Sequence, residues 1–412
     1  MSGPGGRADV LYVSYDGLME PLGASQIVPY VRALRARGVS IELLSFEKAA
    51  GGARRQELAR SLAGDGIPWR ALRYHKRPTL PATAWDVAVG RSHVRAWARS
   101  LAAEGRRGLV HARGYLPGLM GLAGKGLGAR LLFDMRGFWV DERIHGGYWA
   151  PAGIQARIGR WVERRLLARA DHLIVLTRRS TGRLAELAGG GAMPPWEVVP
   201  TCVDLERFRP AASAVVARRA LGLAPGPVLL HVGTLTGWYD GRATMDIGRS
   251  FVERTGGTFV VLCREEEAAR RMAEESGVAA LVRFVEPPEV PAWMQAADAG
   301  LALQRPAPSE DARFPTKIAE YLACGLAVLA TPIGDVPELE DGISLRLFGG
   351  SSDVPAAVEW LAAAVADPAR PGAARGQAED HLGVERGAET LLRVYHRLGL
   401  ARREDAAGGT GV

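Results

Sequence analysis

Short apolar runs rich in β-branched residues recur along the chain, and the segments between them carry apolar residues every three to four positions. The first pattern fits a strand buried on both faces, the second an amphipathic helix. Residues 10–14 (VLYVS) make the first predicted strand, and a glycine-bearing loop from Gly17 to Gly23 follows. Residues 26–37 then show helical spacing at Ile27, Val28, Val31 and Leu34, with Gly38 as the stop. The alternation continues with strands at 40–46, 109–112, 131–134 and 172–176 and helices at 85–103 and 155–170. A second round begins after Thr201-Cys202-Val203-Asp204, where Pro210 and Pro225-Gly226-Pro227 bracket a short helix and mark a domain junction. Its strands are expected at 228–232, 259–262, 282–285, 299–303 and 327–330. Repeated β/α alternation predicts parallel sheets covered by helices on both faces. The expected fold class is therefore α/β, two Rossmann-like domains in series, with ligand crevices at the carboxyl ends of both sheets.

The 412 residues suit two domains of ~100–200 residues each. Hydrophobic residues at 47% and charged residues at 24% exclude a disordered or collagen-like chain. No stretch approaches the roughly 18–20 uninterrupted apolar residues of a bilayer-spanning helix. The Gly/Pro-rich start lacks the charged flank and apolar core of a secretion signal, so a cytoplasmic location is expected. The small, polar tail at 406–412 is expected to be disordered. Cys202, Cys263 and Cys324 are too widely spaced for a CxxC pair and odd in number, so buried apolar roles are expected for them. Net charge is +7, but residues 1–205 hold 30 basic and 17 acidic side chains, a net +13, which leaves −6 for the rest. The first half is thus expected to face something anionic: membrane headgroups, nucleic acid or a phosphorylated substrate.

The most informative window for chemistry is Phe314-Pro315-Thr316-Lys317-Ile318-Ala319-Glu320-Tyr321-Leu322-Ala323-Cys324-Gly325. Pro315 suits the first turn of a helix and Gly325 its stop. The helix start would then offer free backbone N–H groups near Thr316 and Lys317 to an anion. Lys317 and Glu320, three apart, share one side: Glu320 suits vicinal hydroxyls and Lys317 a phosphate, the alternative being an ordinary surface ion pair. In the first half, Gly23-Ala24-Ser25-Gln26 lies between strand and helix, where backbone N–H groups can meet a phosphate; the alternative is a plain turn with Ser25 as N-cap. Asp134 and Arg136 follow a strand at its carboxyl end, where α/β ligands bind, or else form a structural pair; Asp141 and Glu142 lie farther out. Gly124-Lys125-Gly126-Leu127-Gly128 precedes a strand where a dinucleotide fingerprint should follow one, so a helix end is expected. No DxD occurs, and the eight His residues do not cluster. The basic helix at 155–169, with Arg157, Arg160, Arg164 and Arg165 beside Ile158, Trp161 and Leu166, reads equally as a solvated face or a headgroup interface.

Taken together, the motifs resemble glycosyltransferase family 4, retaining enzymes of the GT-B fold within glycosyl transferases group 1. The window at 314–325 is similar to the family's nucleotide-sugar site. Residues 16–26 (DGLMEPLGASQ) resemble its glycine-bearing first loop, and residues 133–142 (FDMRGFWVDE) the loop with its catalytic-cleft residue. Residues 170–177 and 199–204 resemble the end of its acceptor domain. Residues 231–235 (HVGTL) resemble the start of its donor domain, and residues 331–338 the loop after its last donor-side motif. Two departures stand out. The first Glu of the family pattern, eight positions before Glu320, falls on Ala312, with only Glu310 and Asp311 nearby. The Arg and Lys that hold the diphosphate fall on Thr234 and Tyr239. Lys317 and Arg264 are the expected substitutes, although Arg264 beside Glu265, Glu266 and Glu267 also reads as a solvated helix start.

The resemblance implies an acceptor-binding domain at 1–205 and a nucleotide-sugar domain at 206–384, with a crossover helix at 385–405 that packs back on the first domain. It implies transfer of a sugar, with retention and without metal or other cofactor, from a nucleoside-diphosphate sugar to a glycan, lipid-linked or small-molecule acceptor in the cleft between the domains. The departing β-phosphate would serve as base, and polysaccharide biosynthesis is the implied setting. Lys317, Arg136 and Asp134 are the implied catalytic residues. Glu320, Thr316, Pro315, Phe314, Gly233, Thr234 and Arg264 would bind the donor, and Gly23, Ala24, Ser25 and Gln26 would form the diphosphate and acceptor loop. The first half's positive charge and the basic helix add an anionic membrane surface, at the inner face of the membrane, as the alternative to a solvated face, and no nucleic acid is expected as partner. A GT-B nucleotide-sugar epimerase, which would need its own acid/base groups, and a catalytically inactive nucleotide-sugar-binding protein are the alternatives.

Overall fold

The computed structural model describes residues 8–48, 52–307 and 309–400. The chain divides into two compact units: one takes the residues up to Pro200 together with those from Val384 onward, the other Thr201–Gly383. Residues 401–412, which include the expected disordered tail and the end of the expected crossover segment, lie outside the described residues.

The first unit holds seven parallel strands: β1 (Val10–Ser14), β2 (Ile41–Glu47), β3 (Trp69–Arg73), β4 (Leu109–Arg113), β5 (Arg130–Asp134), β6 (His172–Val175) and β7 (Trp196–Val198). Their order is β3-β2-β1-β4-β5-β6-β7, so the chain winds one way from β1 to β3 and the other way from β4 to β7. The reversal leaves a crevice at the carboxyl ends of β1 and β4. Strands β1, β2 and β4 are buried throughout, so apolar residues dominate them, with Glu42, Ser45, Glu47, His111 and Arg113 as buried polar exceptions. Leu11, Val13, Phe46, Val110 and Leu131 pack with Trp97 and Leu101 of the helix Thr79–Ala103 and with Met120 of the helix Tyr115–Lys125. Burying each such side chain contributes ~1.5–3 kcal/mol. The helix end expected at Gly124–Gly128 is the end of Tyr115–Lys125.

The helix Val384–Arg397 belongs to this unit. Its apolar face, Ala388, Leu391, Val394 and Tyr395, is buried, and it packs on the helix Val28–Ala36. Arg37 pairs with Glu385, and the Tyr395 hydroxyl reaches His111 Nδ1 on β4 at 2.7 Å.

The second unit holds β8 (Val228–Val232), β9 (Thr258–Leu262), β10 (Ala280–Arg283), β11 (Ala299–Ala302), β12 (Ala327–Ala330) and β13 (Leu345–Leu347), all parallel, in the order β10-β9-β8-β11-β12-β13. The winding again reverses, now between β8 and β11. Leu229, Phe259, Val261, Leu301 and Leu329 form the core with Met245, Phe251 and Leu361 from the covering helices. The two ends of the unit meet where the Val203 N–H donates to the Leu382 carbonyl at 2.7 Å.

Three strands, β3, β7 and β13, have no counterpart in the sequence pattern, and β10 lies two residues before its expected place. All four are sheet edges. An edge strand is open to solvent along one side, so it carries mixed residues such as Trp69-Arg70-Ala71-Leu72-Arg73, and neither strand template fits. The three cysteines are buried. Among the described residues no helix is long and apolar enough to cross a membrane.

Candidate active site

In the second unit the helix Thr316–Ala323 starts where the sequence places it, with Pro315 as N-cap and Gly325 just beyond its end. Two ties fix its entry and pose. The Phe314 carbonyl accepts the Thr201 hydroxyl at 2.9 Å, and Tyr321 slides its ring over Gly300 of β11 while its hydroxyl accepts the Val232 N–H at 2.9 Å. The helix N-terminus is thereby locked to the carboxyl end of β8.

Gly233, the next residue, has φ +109° and donates its N–H to Leu262 O at 2.8 Å. Lys317 reaches toward it: a Cβ at position 233 would stand 3.4 Å from Lys317 Nζ. The ammonium is buried, has no hydrogen-bond partner, and lies 4.0 Å from the centroid of the Tyr239 ring. Tyr239 is held there because the loop after β8 zips to the loop after β11. Arg305 N–H donates to Trp238 O at 2.8 Å, and Asp240 N–H to Leu303 O at 3.1 Å. The Arg313 guanidinium covers the Trp238 ring at 3.9 Å.

Burial pulls Lys317 down to about 7 against the attraction of Glu320. Burial likewise pushes Glu320 up to about 7 against Arg207 and Lys317. Lys317 is buried and its Nζ has no hydrogen-bond partner, so the two do not form an ordinary surface ion pair. His231 lies beneath, its Nε2 donating to the Thr234 carbonyl at 3.2 Å, and burial followed by Lys317 keeps the ring neutral. The Thr234 hydroxyl is engaged with Thr236, at 3.0 Å to its hydroxyl and 3.2 Å from its N–H. Arg264 is exposed with its guanidinium 5.5 Å from the Phe284 ring, and no hydrogen bond or ion pair ties it to the Lys317 loop. Ala312 is buried; Glu310, in the short turn before it, accepts the Ala307 N–H at 2.9 Å.

In the first unit, Asp134 ends β5 and is enclosed by two guanidinium groups and an imidazole. Its Oδ2 lies 3.3 Å from Arg113 and 3.4 Å from His111 Nε2, and its Oδ1 lies 3.3 Å from Arg136. Burial alone would raise this carboxyl, but Arg136, His111 and Arg113 hold it well below the usual carboxylate range. Nothing in the local spacing singles out His111, Arg113 or Tyr395; register does, since Arg113 lies opposite Asp134 across β4 and β5.

The loop expected at Gly23-Ala24-Ser25-Gln26 is instead a short helix, Pro21–Gln26. The Ala24 N–H goes to Glu20 O at 2.9 Å, and Ser25 Oγ bonds back to Pro21 O at 2.8 Å instead of capping the next helix. The preceding N–H groups are also engaged: Leu18 and Met19 donate to the buried Glu47 carboxylate at 2.7 and 3.4 Å. Gly23 serves close packing, since a Cβ there would stand 2.1 Å from Gly17 O. The basic helix is Ile154–Arg169, and its outward face carries Ile154, Ile158 and Trp161 beside Arg157, Arg164 and Arg165. Arg160 is turned inward, paired with Asp141 and with Glu163 at 2.8 Å.

Comparison with known proteins matches both units. Residues 24–202 match the model of a glycosyl transferase 4-like domain, and residues 226–367 that of glycosyl transferases group 1. The chain is 27% identical to D-inositol 3-phosphate glycosyltransferase 1 of Catenulispora acidiphila, over 90% of this chain and 89% of that one. It is 28% identical to the D-inositol 3-phosphate glycosyltransferase of Streptomyces scabiei, over 90% and 84%. Its fold is similar to that of Anabaena HepE in complex with UDP, with TM-score 0.66 at 17% identity over 94% of this chain and all of that one. Sucrose-phosphate synthase from Thermosynechococcus elongatus is comparably similar, with TM-score 0.65 at 17% identity over 95% and 99%.

Proposed function

The chain belongs to the group 1 glycosyltransferases, enzymes that move a sugar from a nucleotide sugar, and we propose that its second unit holds the donor on Lys317 and Glu320 while its first unit receives the acceptor. One observation carries the reading: Lys317 buries an ammonium without a hydrogen-bond acceptor beside a glycine whose backbone is open to close approach. A buried charge without a partner is unfavourable, and a diphosphate placed there relieves it. The N–H of Thr316 adds to the same field, and Pro315 and Phe314 hold the helix entry. Glu320, in the ionised form that Arg207 and Lys317 favour, accepts from ribose hydroxyls. The glycine loop after β8 lacks a cation of its own, since Thr234 serves its internal hydrogen bonds, and Lys317 supplies the charge from the opposite side.

In the proposed reaction the bond from the anomeric carbon to the phosphate oxygen breaks, the acceptor oxygen bonds to the same face with retention, and the acceptor's proton passes to the departing β-phosphate. Charge on the diphosphate grows as the sugar leaves, so the attraction of Lys317 strengthens toward the transition state and the diphosphate needs no metal to offset it. Arg136, oriented by Asp134, is the proposed positive group on the acceptor side. A uridine nucleotide is the proposed donor base, supported by the UDP complex of the HepE neighbour. The relatives named as D-inositol 3-phosphate glycosyltransferases support a hydroxylated acceptor. The outward apolar and basic face of Ile154–Arg169 supports an acceptor presented at an anionic membrane surface, such as a lipid-linked sugar. The epimerase alternative is weakened because Asp134 is held by three cationic or hydrogen-bonding neighbours and Asp141 by Arg160.

The test is calorimetric titration of UDP followed by turnover of a UDP-sugar panel. Lys317→Ala should lower kcat about 10²–10³-fold, the usual effect of deleting a group aimed at developing charge. A rise in KM alone would make Lys317 a ground-state binder, and a wild-type protein that does not bind UDP would end the donor-site reading.

A further inference from the structure

At the carboxyl edge of the first unit's sheet, three residues from different elements converge. Tyr15 follows β1, His75 follows β3 by two positions, and Asp86 lies on the helix Thr79–Ala103. Asp86 is buried, yet its carboxylate is fully used: Oδ2 accepts the Tyr15 hydroxyl at 2.8 Å and the His75 N–H at 3.0 Å, and Oδ1 lies 2.6 Å from His75 Nδ1. A carboxylate only accepts, so Nδ1 carries the proton and the tautomer of the ring is fixed. Nε2 is then the nitrogen with a free lone pair. The imidazole side chain is 36% exposed while Asp86 is 1% exposed, so the dyad is anchored in the core and open at one end. Tyr15 braces it: its ring stands 5.1 Å from Phe46 and 5.4 Å from Tyr74.

A core carboxylate spent on orienting a half-exposed imidazole is more than packing requires. An oriented acceptor nitrogen beside aromatic rings, at the sheet edge where ligands of parallel α/β units bind, suits a neutral ring that carries hydroxyl groups. We propose that His75, positioned by Asp86 and Tyr15, accepts a hydrogen bond through Nε2 from a hydroxyl of a sugar or cyclitol ring and so contributes to acceptor selection. The proposal rests on the reading of the first unit as the acceptor side. His75 is a binding residue here, and Asp86 and Tyr15 are positioning residues.

The test uses ligand-observed saturation-transfer NMR with myo-inositol and methyl α-D-glucopyranoside as separate probes, each in large excess, and UDP as a third. Two substitutions divide the two ring nitrogens. His75→Asn keeps an amide near Nδ1 for Asp86 and removes Nε2, whereas His75→Gln places an amide near Nε2 and gives up the tie to Asp86. Polyol binding should weaken about tenfold in His75→Asn, the effect of one lost hydrogen bond, and be retained in part in His75→Gln. The two probes tell a cyclitol from a pyranoside. If neither polyol gives a signal with the wild type, or if His75→Asn binds as the wild type does while His75→Gln loses binding, the dyad is structural and the proposal is overturned. UDP should bind all three proteins alike; its failure to bind wild type would overturn the donor-site reading and leave the polyol result to decide this one.

Discussion

Asp134 and Lys317 are both buried charged side chains at the carboxyl edge of a parallel sheet, one in each unit, and they differ in what surrounds them. Asp134 is 3% exposed and meets Arg113, Arg136 and His111, so its charge is matched inside the fold. Lys317 is 7% exposed and meets an aromatic face, a glycine and no acceptor. Burial works against the charged form of both: at Asp134 its neighbours overcome it and hold the carboxyl well below its usual range, whereas at Lys317 the attraction of Glu320 does not and the amine falls to about 7. A matched buried charge belongs to the scaffold, and an unmatched one is prepared for a ligand that brings the missing charge.

The largest expected effect tests that contrast through stability. Removing one partner from a buried ion cluster costs about 3–5 kcal/mol, so Asp134→Asn should lower the urea unfolding midpoint strongly. Lys317→Met should do the reverse and stabilise the protein by about 1–3 kcal/mol, because it removes an ammonium with no acceptor. Equal destabilisation by both substitutions would erase the distinction.

Glu320→Gln comes next. It keeps the size but removes a charge-assisted acceptor, a loss of about 1.5–3 kcal/mol or roughly 10–150-fold in donor KM. Stability should change little or rise, since burial already pushes Glu320 toward its neutral form. An unchanged donor KM would remove Glu320 from the ribose.

Much of this contrast is readable in the sequence for the second unit and little of it for the first. The helix at 316–323 announces itself by Pro315, Gly325 and apolar spacing, all local signals, and Lys317 and Glu320 follow from it. The Asp134 cluster is assembled from β4, β5 and the helix Val384–Arg397, and Tyr395 is 284 positions from the His111 it touches. No local pattern reports such a contact. The helix at Pro21–Gln26 escapes the sequence pattern for a related reason. Its glycine looks like a phosphate loop but is required by close packing on Gly17, and the neighbouring N–H groups are taken by Glu47, which arrives from the end of β2. Arg207 is likewise invisible in sequence, since its influence on Glu320 depends on how the start of the second unit folds over the helix.

A smaller effect follows from protonation. UDP binding needs Lys317 charged, and its value near 7 means that the charged form is lost as pH rises through neutrality. UDP affinity should fall by up to about tenfold per pH unit above 7, where one pH unit corresponds to ~1.4 kcal/mol. Stability of the unliganded protein has the opposite sign on that side. Between about 7 and the usual 10.5 the unfolded chain holds a proton that folded Lys317 has released, so stability rises with pH. Between the usual 4.5 and about 7 folded Glu320 holds a proton that the unfolded chain has lost, so stability falls with pH. A flat calorimetric affinity from pH 6 to 9 would show that Lys317 is not the titrating contact.

The smallest effect concerns the outward face of Ile154–Arg169, where the first unit's excess of positive charge meets exposed apolar side chains. Ile154, Ile158 and Trp161 are 59%, 45% and 52% exposed, and the Arg165 guanidinium lies 5.5 Å from the Trp161 ring. Each arginine near an anionic bilayer adds ~1 kcal/mol, and screening reduces this as the Debye length falls from ~10 Å at 0.1 M salt to ~3 Å at 1 M. Arg160 is the wrong residue to reverse, because it is spent on Asp141 and Glu163 and its loss would disturb the packing of the helix. Arg164→Glu/Arg165→Glu leaves those pairs intact and should abolish sedimentation with anionic liposomes at low salt, while Trp161→Ser should weaken it at both salt levels. Binding of the double variant equal to that of wild type would leave the face to solvent and favour an acceptor free in solution. UDP affinity should stay the same in every one of these variants, because the face they alter belongs to the first unit and Lys317 to the second.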